Sequence, residues 1–145
     1  MLTDPDLFDA YIAISPNYTY DKGQMVKRFA NLNPETIKAE KFVFISNSNE
    51  TIKTSERWAG WSSSNQKVIE IFQSEKFKTK IHLETKDFSE TENHGTTFPI
   101  GAFYGLKSFI DYQFRTGGQI IKYYERLARL NLVTLNPENV NTFAY

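Results

Sequence analysis

Two short, almost uninterrupted apolar segments constrain the fold of this chain more than any other feature. They are residues 10–15 (Ala-Tyr-Ile-Ala-Ile-Ser) and 41–46 (Lys-Phe-Val-Phe-Ile-Ser). Successive rather than alternating apolar residues are typical of strands that are covered on both faces, as in a parallel sheet. Residues 77–86 alternate between apolar and polar side chains instead. They predict a third strand with one face in water, near an edge of the sheet.

Helical spacing fills the intervals between these segments. A helix is predicted after Asp21, another after Ser63 or Ser64, and a longer one after Thr96 or Thr97. Gly117-Gly118 ends the third helix, whose apolar stripe consists of Ile100, Phe103, Leu106, Ile110 and Phe114. Strands separated by about 30 residues that contain a helix suit right-handed crossover connections. The order β-α-β-α-β-α therefore predicts an α/β fold with three layers, α/β/α.

Composition excludes several classes of function. Lys plus Arg and Asp plus Glu both total 17, so the formal net charge of zero gives no reason to expect nucleic acid or an anionic membrane as partner. The absence of Cys excludes disulfides, thiolate metal sites and a Cys nucleophile. His82 and His94 have no metal-binding spacing, and no glycine-rich phosphate loop is present. We therefore predict neither a metal nor a cofactor. No apolar run approaches the roughly 18 residues of a membrane span.

The character of the sequence changes after Gly118. Residues 119–130 predict an amphipathic helix, and Asn136-Pro137 looks like the start of another. We expect residues 1–116 to form the sheet domain and residues 117–145 a helical linker toward a further C-terminal extension. At the other end, the first strand begins about ten residues from Met1, and its outer edge should be paired. We expect that edge to meet an N-terminal part of the protein outside this sequence, or another chain.

Three segments resemble an esterase family of the α/β-hydrolase superfamily that includes the enterobactin-type siderophore esterases. Residues 7–16 (Leu-Phe-Asp-Ala-Tyr-Ile-Ala-Ile-Ser-Pro) resemble the sixth strand of that family. Residues 42–50 resemble the seventh strand with the loop that carries the catalytic acid. Residues 88–97, which contain Glu92-Asn-His94-Gly, are similar to the histidine loop, and residues 105–109 to the helix after it. The resemblance implies that this chain is the C-terminal part of an α/β-hydrolase sheet, its last three strands with their helices.

The same resemblance implies carboxylic ester hydrolysis through an acyl-enzyme. His94 would act as general base and then as general acid, and Glu50 would orient it. Glu92 is the alternative acid, and a third possibility is a Ser-His pair that works without one. The chain departs from the family before the acid, where Asn47 or Ser48 replaces the usual glycine.

The nucleophile of that family is missing from these residues. No Gly-x-Ser-x-Gly occurs in the sequence, and Ser15 has no flanking glycines. We therefore expect a hydrolase fragment that is inactive alone. Two alternatives are an enzyme whose elbow is supplied by another chain, and a non-catalytic assembly module that associates through its exposed sheet edge. The implied partners are a small-molecule ester in the intact parent, and either a second copy of the chain or the N-terminal half of the hydrolase.

Aromatic side chains are the candidates for substrate binding. Tyr18, Tyr20 and Trp58, with Trp61, could line a pocket for an aromatic or acyl group, or could belong to the core. His82 alternates with Lys80 and Glu84 and is interpreted as structural. Siderophore lactones, acyl-sugars and feruloyl esters all fit the family as substrates. Family members occur in the cytoplasm and in the periplasm, so the compartment stays open.

Overall fold

A three-stranded parallel sheet forms the centre of the computed structural model, which describes residues 1–50, 60–134 and 136. The order within this sheet is β1-β2-β3. The strands are β1 (Ala10–Ile14), β2 (Lys41–Asn47) and β3 (Ile81–Asp87). The helices are α1 (Tyr20–Ala30), α2 (Trp61–Gln73), α3 (Thr97–Gln113) and α4 (Gly117–Arg129), and a short 3-10 helix covers Pro34–Thr36.

The strand register confirms the predicted α/β class. Ala10 lies opposite Phe42 in the β1–β2 pair, and Lys41 lies opposite Ile81 in the β2–β3 pair; both pairs are parallel. Each connection between neighbouring strands contains a helix, because parallel strands need a crossover to return to the same end of the sheet. β2 is central, and six of its seven residues are buried.

Helices contact both faces of the sheet. On one face, Val43 and Ile45 of β2 pack into a core with residues of α1 and α2, among them Phe29 and Phe72. On the other face, α3 approaches the sheet through Gly101 and Gly105. A Cβ at either glycine would lie 2.6 Å from a Cγ2 atom of β1, that of Ile14 or that of Ile12 respectively. Glycine is therefore required where α3 crosses β1.

The apolar stripe predicted for α3 lies on its exposed side. Phe103, Leu106, Ile110 and Phe114 keep 61%, 54%, 54% and 42% of their surface accessible. The residues of α3 that are buried are Thr97, Gly101 and Gly105, which repeat every four positions. Over residues 97–106 the helix thus packs on the sheet by its smallest side chains, whereas Phe103 and Leu106 are exposed and Ile100 is half-buried.

The third strand begins later than its alternating pattern predicted. Residues 77–80 form hydrogen-bonded turns, in which the amides of Lys80 and Ile81 both donate to the carbonyl of Phe77. Phe77 itself is fully buried. The prediction of a strand over residues 77–80 was wrong because a buried aromatic followed by a turn produces the same alternation as a half-buried strand.

Helix ends also differ from the predicted ones. Asp21, predicted as a cap, has φ +51, in a segment of left-handed backbone at the start of α1. α2 begins at Trp61, after Gly60 at φ +86, and therefore before Ser63. α3 ends at Gln113, and Gly117 begins α4 instead of ending α3.

The chain divides into two compact units, residues 1–106 and residues 107–145. The first contains the sheet. In the second, Phe114 packs edge-to-face on Tyr123 of α4, with ring centroids 5.3 Å apart. Within the described part of the chain, no helix has both the length and the apolarity for a membrane crossing.

Candidate functional site

Four polar residues lie at the carboxyl ends of the three strands. Ser15 follows β1, Ser48 and Glu50 follow β2, and His94 lies in the loop after β3. The carboxyl ends of parallel strands meet at one edge of the sheet, and open α/β sheets bind their ligands outside that edge. The topology therefore places these residues where a ligand site is expected.

A single rung of backbone pairing joins the loops after β2 and β3. Asn49 forms an isolated parallel bridge with Asn93, and the amide of Asn49 donates to the carbonyl of Glu92 at 2.8 Å. Because Glu50 follows Asn49 and His94 follows Asn93, the bridge places the two side chains beside each other.

Glu50 and His94 form a carboxylate–imidazole pair. Oε2 of Glu50 lies 3.4 Å from Nδ1 of His94. The Glu50 side chain is 4% exposed, whereas that of His94 is 54% exposed. A carboxylate at Nδ1 favours the tautomer that carries its proton there, which makes Nε2 the basic nitrogen. This geometry suits proton transfer at Nε2. The 3.4 Å between Oε2 and Nδ1 is compatible with such a role, because catalytic hydrogen bonds are often long when no substrate is bound.

The turn that carries His94 is organised by Asn93. Oδ1 of Asn93 accepts from the amide of Gly95 at 2.8 Å, and its carbonyl accepts from the amides of Thr96 and Thr97 at 3.0 and 2.9 Å. Oγ1 of Thr96 accepts in return from the amide of Asn93 at 3.1 Å. The sequence interpretation missed Asn93, although an Asn two residues before a Gly is a recognised turn signal.

Trp61 packs against the His94 ring. The ring centroids are 4.8 Å apart with an interplanar angle of 61°, an edge-to-face arrangement. Trp61 is the first residue of α2 and is only 3% exposed. Among the residues that the structure describes, Trp61 is the aromatic candidate for a substrate pocket that contacts the candidate base.

Ser48 and Ser15 complete the surroundings of Glu50. Oγ of Ser48 lies 2.5 Å from Oε1 of Glu50 and 3.0 Å from Oγ of Ser15. Both serines are 2% exposed. A buried carboxylate is costly unless its oxygens are hydrogen-bonded, and here each oxygen faces a partner. The sequence interpretation noted Ser48 only as a replacement for glycine and so missed this contact.

The other predicted substrate-binding residues lie in different surroundings. Tyr18 is 8% exposed and packs edge-to-face on Phe29, with ring centroids 5.6 Å apart. It borders a cavity of about 200 Å³ between β1 and the α1–α2 side of the core. Burial raises the pKa of Tyr18 to about 12. Tyr20 is 77% exposed, and Trp58 lies outside the described residues.

The two remaining candidates have contacts of their own. Of the two possible acids, Glu50 presents its carboxylate to His94, whereas Glu92 contributes its backbone carbonyl to Asn49. His82 stacks on Phe42 with ring centroids 5.8 Å apart and pairs with Glu84 at 3.1 Å. These contacts suit the structural role assigned to His82.

Over the described ranges, no cluster of His, Cys, Asp and Glu side chains could hold a metal ion. Comparisons with protein-family models, with curated proteins and with solved structures found no match for this chain.

Proposed function

We propose that this chain carries the acid–base half of a serine-dependent carboxylic ester hydrolase. His94 is the general base and then the general acid, Glu50 orients it, and the nucleophilic serine belongs to residues outside this chain. The observation that supports this proposal is the buried Glu50 carboxylate 3.4 Å from Nδ1 of a half-exposed His94, at the carboxyl edge of a parallel sheet.

The proposed reaction begins with proton transfer to His94. Nε2 takes the proton of the serine hydroxyl as its oxygen attacks the ester carbonyl, and the imidazolium then protonates the departing alkoxide. Water repeats these steps on the acyl-enzyme and releases the acid. The Glu50 carboxylate stays ionised throughout and stabilises the imidazolium, so its burial beside the ring is an advantage.

Two further observations support an α/β-hydrolase sheet. The segments that resemble the sixth strand, the seventh strand and the histidine loop of the siderophore-esterase family follow one another around one sheet in the expected order. All five residues of β1 are only half-buried, whereas β2 is buried. In the proposed parent, another strand pairs with β1 and the elbow serine lies beyond it. Siderophore lactones, acyl-sugars and feruloyl esters are the substrate classes to test.

The test is hydrolysis of p-nitrophenyl acetate and butyrate. The chain is assayed alone and after co-expression with the products encoded directly upstream at its locus, each with His94→Ala alongside. We expect the chain alone to match His94→Ala, because it has no elbow serine. We expect the co-expressed material to turn over both esters, and His94→Ala to lower kcat by at least about 10³-fold.

Two outcomes contradict the proposal. Activity of the chain alone that disappears in His94→Ala would mean that a nucleophile lies within these residues. Co-expressed material whose activity does not depend on His94 would remove this residue from the reaction. A fluorophosphonate probe, which labels activated serines, identifies the chain that carries the nucleophile in either case.

A second candidate function is a non-catalytic assembly module, in which two copies of the chain join through β1. It is favoured by the half-buried β1 and by Leu7 and Phe8 immediately before it, which are 64% and 58% exposed. In this function the Glu50–His94 pair has no catalytic role.

A further inference from the structure

The chemistry of the groups around Glu50 fixes the direction of their hydrogen bonds. Ser48 has one hydroxyl proton, and its oxygen lies near both Glu50 and Ser15. An ionised carboxylate only accepts, so the proton of Ser48 belongs to the 2.5 Å contact with Oε1. The 3.0 Å contact is then a hydrogen bond that Ser15 donates to Ser48. Ser15, Ser48 and Glu50 thus form a chain of donors that ends on the carboxylate.

This chain of hydrogen bonds is buried. Ser15, Ser48 and Glu50 are 2%, 2% and 6% exposed. Ser15 has φ +43, a left-handed conformation that residues with a Cβ seldom adopt, and its amide donates to the carbonyl of Ser46 at 3.0 Å. Strained backbone of this kind persists only where the surrounding structure holds it, and it is concentrated at functional sites.

We propose that Ser15 and Ser48 are positioning residues, which fix Glu50 and through it the Nδ1–H tautomer of His94. The proposal deepens the function proposed above and rests on it for its catalytic meaning. Ser48 holds Oε1 of Glu50, so rotation of the carboxylate about the Cγ–Cδ bond would break that hydrogen bond. Oε2 therefore remains directed at His94. Both serines touch neither substrate nor leaving group in this scheme.

The tautomer of His94 can be measured without any catalytic activity. Uniformly ¹⁵N-labelled full-length chain is studied by long-range ¹H–¹⁵N correlation at alkaline pH, where imidazole is neutral. His94→Ala assigns the signals, and His82 remains as an internal reference. We expect wild type to show mainly the Nδ1–H form. Ser48→Ala should shift the ratio about 3- to 10-fold toward Nε2–H, the form that free histidine prefers.

Three further variants make the result specific. Ser48→Thr keeps the hydroxyl and should keep the wild-type ratio. Ser15→Ala removes only the outer hydrogen bond and should shift the ratio in the same direction as Ser48→Ala, by less. Ser46→Ala is the matched control: Ser46 lies in β2, two residues before Ser48, it is fully buried, and its hydroxyl has no hydrogen-bond partner among the described residues. We expect no shift for it.

The outcomes separate this proposal from the one on which it rests. If Glu50→Gln changes the ratio and Ser48→Ala does not, the serines do not position the pair, and the Glu50–His94 pair stands. If Glu50→Gln also leaves the ratio unchanged, Glu50 does not orient His94, and that part of the proposed function fails. If Ser48→Ala does not fold, an unshifted ratio in Ser15→Ala overturns the proposal.

Discussion

The acid and the base of the proposed pair have opposite exposures. The Glu50 side chain is 4% exposed and that of His94 is 54% exposed, although their facing atoms are 3.4 Å apart. A carboxylate sheltered in this way acts on the ring with little screening by salt. The ring is at the same time accessible to solvent. The contrast follows from their positions, since Glu50 directly continues from the central strand and His94 lies in an exposed turn.

Tyr18 gives a prediction for stability at alkaline pH. Burial raises its pKa to about 12, from an ordinary value of 10.0. Below pH 10 the Tyr18 hydroxyl is protonated in the folded and in the unfolded protein. As the pH rises above 10, the unfolded protein loses this proton first, because its pKa is lower. The stability from this group is therefore fully present below pH 10 and is lost as the pH rises toward 12. The loss is on the order of 3 kcal/mol, and urea unfolding at a series of pH values measures it.

Tyr18→Phe is the control for this loss, because it keeps the ring that packs on Phe29 and removes the ionisable hydroxyl. The free energy of unfolding of Tyr18→Phe should fall less steeply between about pH 10 and pH 12 than that of wild type. Parallel pH profiles for the two proteins would show that the Tyr18 hydroxyl is not protected by burial.

The order of side chains along the chain predicted part of this site and left another part out. Glu50 and His94 were predicted from the resemblance of residues 42–50 and 88–97 to the acid and histidine loops of the siderophore-esterase family, and the parallel strands bring these two loops to one edge of the sheet. Contacts between segments that are far apart in the sequence bring Trp61 to His94 and Ser15 to Ser48. Ser48 and Ser15 are 33 positions apart, and no periodicity of either segment reports that contact.

At the scale of elements, the apolar stripe of α3 and the residues by which α3 packs on the sheet lie on different faces of the helix. The predicted stripe is real, but Gly101 and Gly105 allow the opposite side to approach β1 more closely than any side chain would. In this packing, the close contact with β1 that Gly101 and Gly105 allow contributes more than burial of Phe103 and Leu106 would. β1 and β2 were predictable because their apolar residues are nearly continuous, and β3 because apolar and polar residues alternate along it. The start of α1 and residues 77–80 were not predictable, because local turns determine their conformation.

Gly105→Ala tests this packing. The added Cβ would lie 2.6 Å from Cγ2 of Ile12, a branched side chain with little rotational freedom, and 3.1 Å from Cδ1 of Phe44. Over-packing of this kind should lower the free energy of unfolding by about 1 to 3 kcal/mol, measured by urea denaturation.

Gly117→Ala is the matched control, since Gly117 is also helical and an added Cβ would meet nothing within 4 Å. We expect it to be neutral or to stabilise the chain by up to about 1 kcal/mol, because Ala is the better helix former. Equal effects of the two substitutions would mean that α3 does not press on β1.

At the scale of the whole molecule, the outer edge of β1 is the feature that bears on association with another chain. The amide of Phe42 donates to the carbonyl of Asp9, and the amide of Ser15 donates to the carbonyl of Ser46. Backbone groups alternate in direction along a strand, so residues 9, 11, 13 and 15 point toward β2, while 10, 12 and 14 point to the outer edge. Among the described residues, β1 is an edge strand of the sheet, and the outward groups of an apolar edge strand are a template for association.

The purified chain should therefore self-associate, and the simplest closed arrangement is a symmetric dimer through β1. Ala10→Pro removes one outward N–H and should shift the mass in solution toward monomer, as measured by light scattering after size exclusion. Ala10→Ser keeps the N–H and should behave as wild type. A chain that is monomeric at every concentration would eliminate the assembly function and leave the hydrolase proposal unaffected.

The bridge between Asn49 and Asn93 also bears on fluctuations of the site. Among the described residues, an isolated backbone bridge with an amide-to-carbonyl distance of 2.8 Å joins the loop that carries Glu50 to the loop that carries His94. A local opening that breaks this bridge separates carboxylate and imidazole in a single event, and re-forming it restores both positions together. We therefore expect Glu50 and His94 to separate and to align again as one cooperative unit, so that the fraction of molecules with the bridge formed determines how often the pair is aligned.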